Sequence, residues 1–356
     1  MIDIHENDIN EFYDRLSKFI GVPGEVTVVD ILEWFNAIKF SSLNLEDFSE
    51  LFNIFFNGCN DKYTQNIKEC FEYFDKDKDQ LLNFEEFQEL CLGLFEPFLS
   101  PKSAFIIVDV QNDFINGSLA LKNCPANEDG AEVIPMINSI LTRFIEGDYK
   151  FKSVVYTYDW HPKDHISFFD NIHCRRISQH SPISLIDVKP LDKVIFETDS
   201  GEETDQILWP KHCVENSDGA ALHKDLMVID GAYHLKKGIF SNVDSYSAFG
   251  LNHPKAVTDL NNHLKSHDIN FLFVCGLATD VCVAQTALDG LSLGYRVALV
   301  KDACRGVNQE NIDNVQCKLI ENHAIIISSA MISHILNGRV KPVQLAVSLI
   351  KRITNK

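Results

Sequence analysis

FLFVCGLATDVCVAQTALDG, residues 271–290, is a continuous apolar run that breaks at a GLATD turn and resumes with helical spacing near Thr279. A run that is apolar at every position, rather than at alternate ones, marks a strand covered on both faces, as in a parallel sheet. The turn puts Cys282 in the first turn of the helix, where unsatisfied N–H groups and the helix dipole favour a thiolate. Cys275, inside the run, reads as packing.

Four more runs follow the same rule: AFIIVDV (104–110), SVVYTYD (153–159), RVALVKDA (296–303) and AIIISSA (324–330), each parted from the next by helical stretches. Strands alternating with helices imply an α/β fold, a doubly wound parallel sheet with helices on both faces. Ligands of such sheets bind beyond the carboxyl ends of the strands. Asp109, Asp159 and the 277–282 turn stand at such ends.

At 356 residues the chain exceeds one ordinary core. A net charge of -19 excludes a nucleic-acid partner or an anionic membrane surface, because phosphates would be repelled. No run of eighteen apolar residues occurs, and MIDIHENDINEFYDRL has no signal-peptide pattern. Ten cysteines without a CxxC pair read as reduced thiols, so the expected compartment is the cytoplasm, with the nucleus also open to it.

Residues 1–98 differ from the rest. FYDRLSKFIG, VVDILEWFNAI, FSELFNIFF and IKECFEYF carry helical periodicity, and the prolines of FEPFLSPKS (95–103) set a boundary, so a small all-α domain (1–98) precedes the α/β domain (99–356). After IKECFEYF, DKDKDQLLNFEE places Asp75, Asp77, Asp79, the Leu81 carbonyl, Asn83 and Glu86 at alternating positions of a twelve-residue loop. That spacing resembles an EF-hand, in which a turning loop aims hard oxygens at one Ca²⁺. Gln80 occupies the place where such a loop needs a left-handed turn and normally has glycine. Asn36–Phe48 resembles a partner hand that kept its packing and lost its metal, with Ile38 and Phe40 in carboxylate positions.

Around Cys282 stand groups suited to acyl transfer. Asp109, at a strand end, is a carboxylate able to take a proton from a thiol and return it to a leaving amine. Lys237, in the KG turn of HLKKGIFSNVDSYSAF, would lower the pKa of both, whereas Lys236 reads as a surface residue. Asp159 and His161, two apart in an extended segment, share a side, and His212 follows Trp209 and Pro210 in a rigid turn. Two histidines and a carboxylate with open positions describe a catalytic type of zinc site, and iron or manganese fits the same set. His165, His173 and His223 read as histidines satisfied in turns, and the segment between Asp159 and His212 as an irregular surface insertion without an assigned role.

DVQNDF, DWHP followed by HISF, WPKHC, KG followed by YSAF, and GLATDVCV, in this order, resemble the nicotinamidase branch of the isochorismatase-like cysteine hydrolases. The resemblance spans residues 104 to about 335. It implies hydrolysis of nicotinamide to nicotinate and ammonia in NAD salvage, through a thioester on Cys282 with Asp109 and Lys237. It also implies zinc on Asp159, His161 and His212, a pyridine pocket lined by Phe114, Trp209 and Tyr246, and a cis Leu277–Ala278 bond. The N–H groups of Ala278 and Cys282 would hold the oxyanion. Calcium is expected to support the helical domain rather than switch catalysis, and a homo-oligomer is left open. Two other readings stand beside this one: a relative acting on another small amide, which would lack the metal trio, and a calcium-responsive interaction protein on a hydrolase scaffold.

Overall fold

The structure is a computed structural model that describes residues 42–197, 201 and 203–354. Ile38 and Phe40 of the degenerate hand, and the helical segments before them, lie outside the described residues. The helical unit comprises α1 (Leu45–Phe55), α2 (Thr64–Phe74) and α3 (Phe84–Leu90), which runs on through a wide turn, Cys91–Phe95, to Glu96–Leu99. Asn44 caps α1 and Asn83 caps α3, each with its side chain on the backbone N–H three residues ahead and an acid returning the bond. Leu43 and Leu82 exchange two backbone hydrogen bonds of 2.9 and 2.7 Å, which tie the segments preceding the two helices.

The α/β part contains β1 (Ser103–Val108), α4 (Val133–Ile145), β2 (Ser153–Asp159), β3 (Arg176–Ile177), β4 (Lys193–Glu197), β5 (Glu203–Ile207) and β6 (Tyr233–Lys237). It continues with α5 (Leu260–Ser266), β7 (Phe271–Leu277), α6 (Ala284–Ser292), β8 (Arg296–Arg305), α7 (Gln309–Glu321), β9 (Ile325–Ile327) and α8 (Val343–Thr354). Six strands pair in the order β6-β2-β1-β7-β8-β9, every pair parallel. β1 and β7 are buried at every position, as their uninterrupted apolar runs require. Each fully buried Ile, Leu or Phe contributes about 1.5–3 kcal/mol through the area it removes from water. Where β7 passes the end of β1 its register against β8 slips, and Gly276 adopts φ +111°. A Cβ there would stand 2.1 Å from the Val108 carbonyl oxygen, so only glycine permits the approach.

Three sequence readings change in the structure. The segment between Asp159 and His212 is not an irregular insertion. It carries the antiparallel sheet β3-β4-β5 with its own apolar cluster, including Ile172, Val194, Phe196 and Leu208. Lys237 is not in a turn but closes a strand, β6, whose alternating YHLKK gave too weak an apolar signal to find. The helix after GLATD begins as a wide turn, Thr279–Val283, before α6 proper.

The helical unit shares its core with the α/β part. α8 packs against α2 and the Cys91–Phe95 turn, and Asn57 is bonded to the backbone of Lys341 and Val343 at 2.7–3.0 Å. Two buried cations lie along this seam. Arg296 donates to the Pro97 carbonyl (2.8 Å) and Asn270 Oδ1 (2.6 Å) and stacks over Phe98, and burial pushes its pKa down to about 9. Lys341 donates to the Gly338 carbonyl (2.6 Å) beside the Phe55 ring, and burial lowers its pKa to about 8. A lysine depressed in the folded state costs stability while it is charged. The cost stands in full below pH 8 and is relieved as pH rises toward the unfolded value. Urea titrations should therefore show the wild type gaining stability relative to Lys341→Met between pH 7 and pH 10. A pH-independent difference would mean that the ammonium is not desolvated at this seam.

Candidate active site

Three carboxyl-terminal strand ends, those of β1, β2 and β6, and the turn after β7 converge. Each chain segment leaves its strand there and is free to aim a side chain at a common point. Asp109, the first residue past β1, is fully buried and takes φ +48°, a left-handed conformation that costs a non-glycine residue about 1–3 kcal/mol. Thr157 holds it in place: its hydroxyl donates to Asp109 Oδ1 at 2.6 Å and accepts the Asp109 N–H at 3.2 Å. Lys237, 1% exposed, sits among the other groups. Its Nζ lies 2.9 Å from Asp109 Oδ2, in ionic contact without an aligned hydrogen bond, and donates to Cys282 Sγ at 3.2 Å and to the Ser245 carbonyl at 3.3 Å. It also bonds Asp159. Carboxylate oxygens of Asp109 and Asp159 and the Cys282 sulfur all fall within 4.8 Å of one another.

The charges respond unequally. Burial raises the Asp109 carboxyl above its ordinary value despite the ammonium beside it. Burial pushes the same way on Asp159, but Lys237 and His161 outweigh it and hold that carboxyl well below the usual range. Two neighbouring acids pushed apart in this way divide the roles of proton carrier and permanent anion. Lys237 loses to burial less than it gains from the two carboxylates, and so stays firmly protonated. The protein surroundings by themselves do not favour the expected thiolate. Burial, reinforced by Asp159 and Asp109, raises the Cys282 thiol well above its ordinary value, and Lys237 offsets this only in part. Attack by the sulfur therefore calls for a group that takes its proton.

Beside this cluster Asp159, His161 and His212 turn their ligand atoms to one centre. Asp159 Oδ2 is 3.6 Å from His161 Nε2 and 3.7 Å from His212 Nε2. Each ring points its Nδ1 at a carbonyl oxygen, that of Gly238 (2.8 Å) for His161 and that of Pro210 (2.8 Å) for His212. A carbonyl can only accept, so both Nδ1 atoms carry the proton and both Nε2 lone pairs are aimed inward, the arrangement a divalent metal ion needs. The donor set fits such an ion. Cys282, Asp159, His161 and His212 face one pocket of about 390 Å³, walled by Phe114, Trp209, Tyr246 and Ala278 together with Leu119, Leu121, Val281 and Val307. The Leu277–Ala278 bond is cis.

His165 is satisfied in a turn, as its sequence reading has it, yet it stands against the site. It is buried, stacks on His161 with ring centres 4.0 Å apart and bonds Ser167 at 2.7 Å, and burial pushes its pKa down to about 3. Thr157 escaped notice, although its place two residues before Asp159 on one strand puts both on the same face. Gln111 was also missed. Its side chain clamps the Asp159 backbone at both N–H and carbonyl (2.9 and 2.8 Å), and an isolated glutamine after a strand gives no sequence signal.

Residues 103–331 match the isochorismatase domain family. The chain belongs to that family. Among its members, nicotinamidase of Escherichia coli (strain K12) is 37% identical over 217 residues, 60% of this chain and 88% of the relative. Nicotinamidase of Saccharomyces cerevisiae is 33% identical over 214 residues, 58% of this chain and 88% of the relative. Of solved structures in the family, a nicotinamidase and pyrazinamidase of Acinetobacter baumanii is 34% identical, covers 64% of this chain and 97% of its own, and superposes with a TM-score of 0.52. The yeast nicotinamidase is 28% identical with the same TM-score, over 63% of this chain and 99% of its own. The family match leaves the helical unit aside.

Gly238 lies directly against His161. It takes φ +64°, and an added Cβ would meet His161 Cε1 at 2.3 Å. Gly238→Ala is expected to push the His161 ring off the shared centre and weaken Zn²⁺ binding by about 10–100-fold in calorimetric titration. Unchanged affinity would mean that His161 is not a ligand.

Proposed function

We propose that this isochorismatase-family chain is a nicotinamidase, hydrolysing nicotinamide to nicotinate and ammonia. The observation that carries the reading is the contact of Lys237 with Cys282, Asp109 and Asp159 inside one pocket shared with two inward-aimed histidines. The nicotinamidases among the relatives, 33–37% identical over most of their length, support it. A relative acting on another small amide has no need of the Asp159, His161 and His212 set, so that set favours a pyridine carboxamide.

Asp159, His161 and His212 would hold a divalent ion, zinc foremost and iron or manganese by the same donors, which supplies a Lewis-acid anchor for the ring nitrogen. The remaining work falls to the chain. Phe114, Trp209 and Tyr246, which line the pocket, would enclose the ring and exclude water. Asp109 takes the Cys282 proton as the sulfur attacks the carboxamide carbon, and the N–H groups of Ala278 and Cys282 receive the oxyanion. Asp109 then passes that proton to the departing nitrogen, which leaves as ammonia, and a thioester remains on Cys282. Water attacks the thioester while Asp109 accepts its proton, and the carboxylic acid departs as that proton returns to sulfur. Lys237 stays charged throughout, and steadies each anion that appears beside it. Cys282→Ala should lower ammonia release from nicotinamide by at least about 10³-fold, with nicotinamide still bound. Turnover by that variant near the wild-type rate would refute the reading.

We also propose that the helical unit, described from residue 42 to residue 98, carries an EF-hand and is attached to a hydrolase domain of residues 99–356, with Ca²⁺ in the loop 75–86. Oxygens of Asp75, Asp77 and Glu86 lie within 4.8 Å of one another. Asp75 is 4% exposed, and its Oδ1 has no partner although it is buried, a cost that a cation would remove. Gln80 takes φ +70° and donates its N–H to Asp75 Oδ2 at 3.2 Å, so the turn is made without glycine at the expense of strain. Asp79 and the Leu81 carbonyl would complete the shell. Glu86 also accepts from Lys76 N at 2.6 Å and Asn83 N at 3.0 Å, which ties α3 to the loop. The ion is assigned the support of the helical unit and no part in turnover. Calorimetry should find one Ca²⁺ bound by the wild type and affinity lowered at least about tenfold in Glu86→Gln. No uptake at millimolar Ca²⁺ would remove the proposal.

A further inference from the structure

The side chain of Gln206 joins the sheet β3-β4-β5 to two residues of the pocket wall, Asp244 and Tyr246. It is 4% exposed, so its amide is desolvated and its bonds decide where its neighbours stand. Gln206 Nε2 donates to Asp244 Oδ2 at 2.8 Å and to the Ile207 carbonyl at 2.8 Å, with the Tyr246 hydroxyl 3.4 Å away. Trp209, two residues past the sheet, donates its Nε1–H to that hydroxyl at 3.2 Å. The Ser245 N–H donates to Asp244 Oδ1 at 2.8 Å, so both carboxylate oxygens are fixed. Asp244 and Tyr246 line the pocket that holds Cys282, and with Gln206 they also line an outer cavity next to it. They are the partition between the two.

Resting on the nicotinamidase reading, we propose that Gln206 is a positioning residue for substrate recognition, by which β3-β4-β5 fixes the Asp244 carboxylate and the Tyr246 ring as the pocket wall. A carboxylate held at that wall charges nothing to a neutral carboxamide but repels the carboxylate into which the amide is converted. The wall therefore favours substrate over product, and a carboxylate free to swing into the outer cavity would not. Burial and the neighbouring Asp244 keep the Tyr246 hydroxyl protonated, so the tyrosine adds no second charge to the wall.

The test compares wild type, Gln206→Ala, Asp244→Asn and the double variant. Gln206→Ala should raise KM for nicotinamide about tenfold with kcat within about twofold, and nicotinate should inhibit it several-fold more tightly relative to KM. Asp244→Asn should also relax the discrimination against nicotinate, and the double variant should be little worse than the singles, because Gln206 acts through Asp244. Strict additivity, an unchanged KM, or a fall in kcat alone would overturn the proposal. Amide hydrogen exchange is read on the same proteins without substrate: residues 243–247 should exchange faster in Gln206→Ala while β1 and β7 do not change. If the wild type releases no ammonia from nicotinamide, the functional reading falls by itself, and exchange still decides whether Gln206 holds the wall. Unaltered exchange would show that it does not.

Discussion

One ammonium group, that of Lys237, organises the site. Burying a lone cation costs several kcal/mol, and this one is tolerated because Asp109, Asp159, Cys282 and the Ser245 carbonyl surround it. Those partners come from four separate points of the chain, so the sheet must close correctly before the charge is satisfied. Removal of either carboxylate leaves the buried ammonium with only part of its countercharge. Fold and chemistry thus share a single condition, and the strain at Asp109 is held by the same contacts, with Thr157 fixing the far side of its carboxyl.

Parallel pairing supplies the convergence. β1, β2, β6 and β7 all run the same way, so their carboxyl ends open on one edge. Gly276 lets β7 approach the end of β1 closely enough for the following turn to carry Cys282 toward Asp109. The histidines are set by backbone carbonyls rather than by other side chains, which makes their orientation a property of the loops Pro210–His212 and Lys237–Gly238.

Much of this was legible in the sequence because strands buried on both faces write uninterrupted apolar runs. Those runs gave five of the six strands of the main sheet, and the acids and the cysteine at their ends gave the pocket. β6 was hidden because an edge strand alternates, and YHLKK has too few apolar residues to stand out. The insertion sheet was hidden for a similar reason: ETDQI is polar at every position but Ile207, and the apolar residues of its neighbours cover only a small satellite core. The protonation state of Cys282 could not be read at all. Spacing shows the lysine that lowers a thiol pKa, whereas the desolvation that raises it exists only once the chain is packed. Thr157, Gln111 and Gln206 act through hydrogen bonds to residues distant in sequence, and no local pattern records such bonds.

The helical unit and the segment 343–354 close over one another. Phe55, Phe56, Phe95 and Phe98 pack together at the seam, while α8 lies against α2 and the wide turn. The two ends of the described chain therefore act as a clasp. An isochorismatase-fold body that has grown such a clasp cannot shed it without baring a cluster of aromatic rings to water, so the appended unit has become a structural dependent of the enzyme it adjoins.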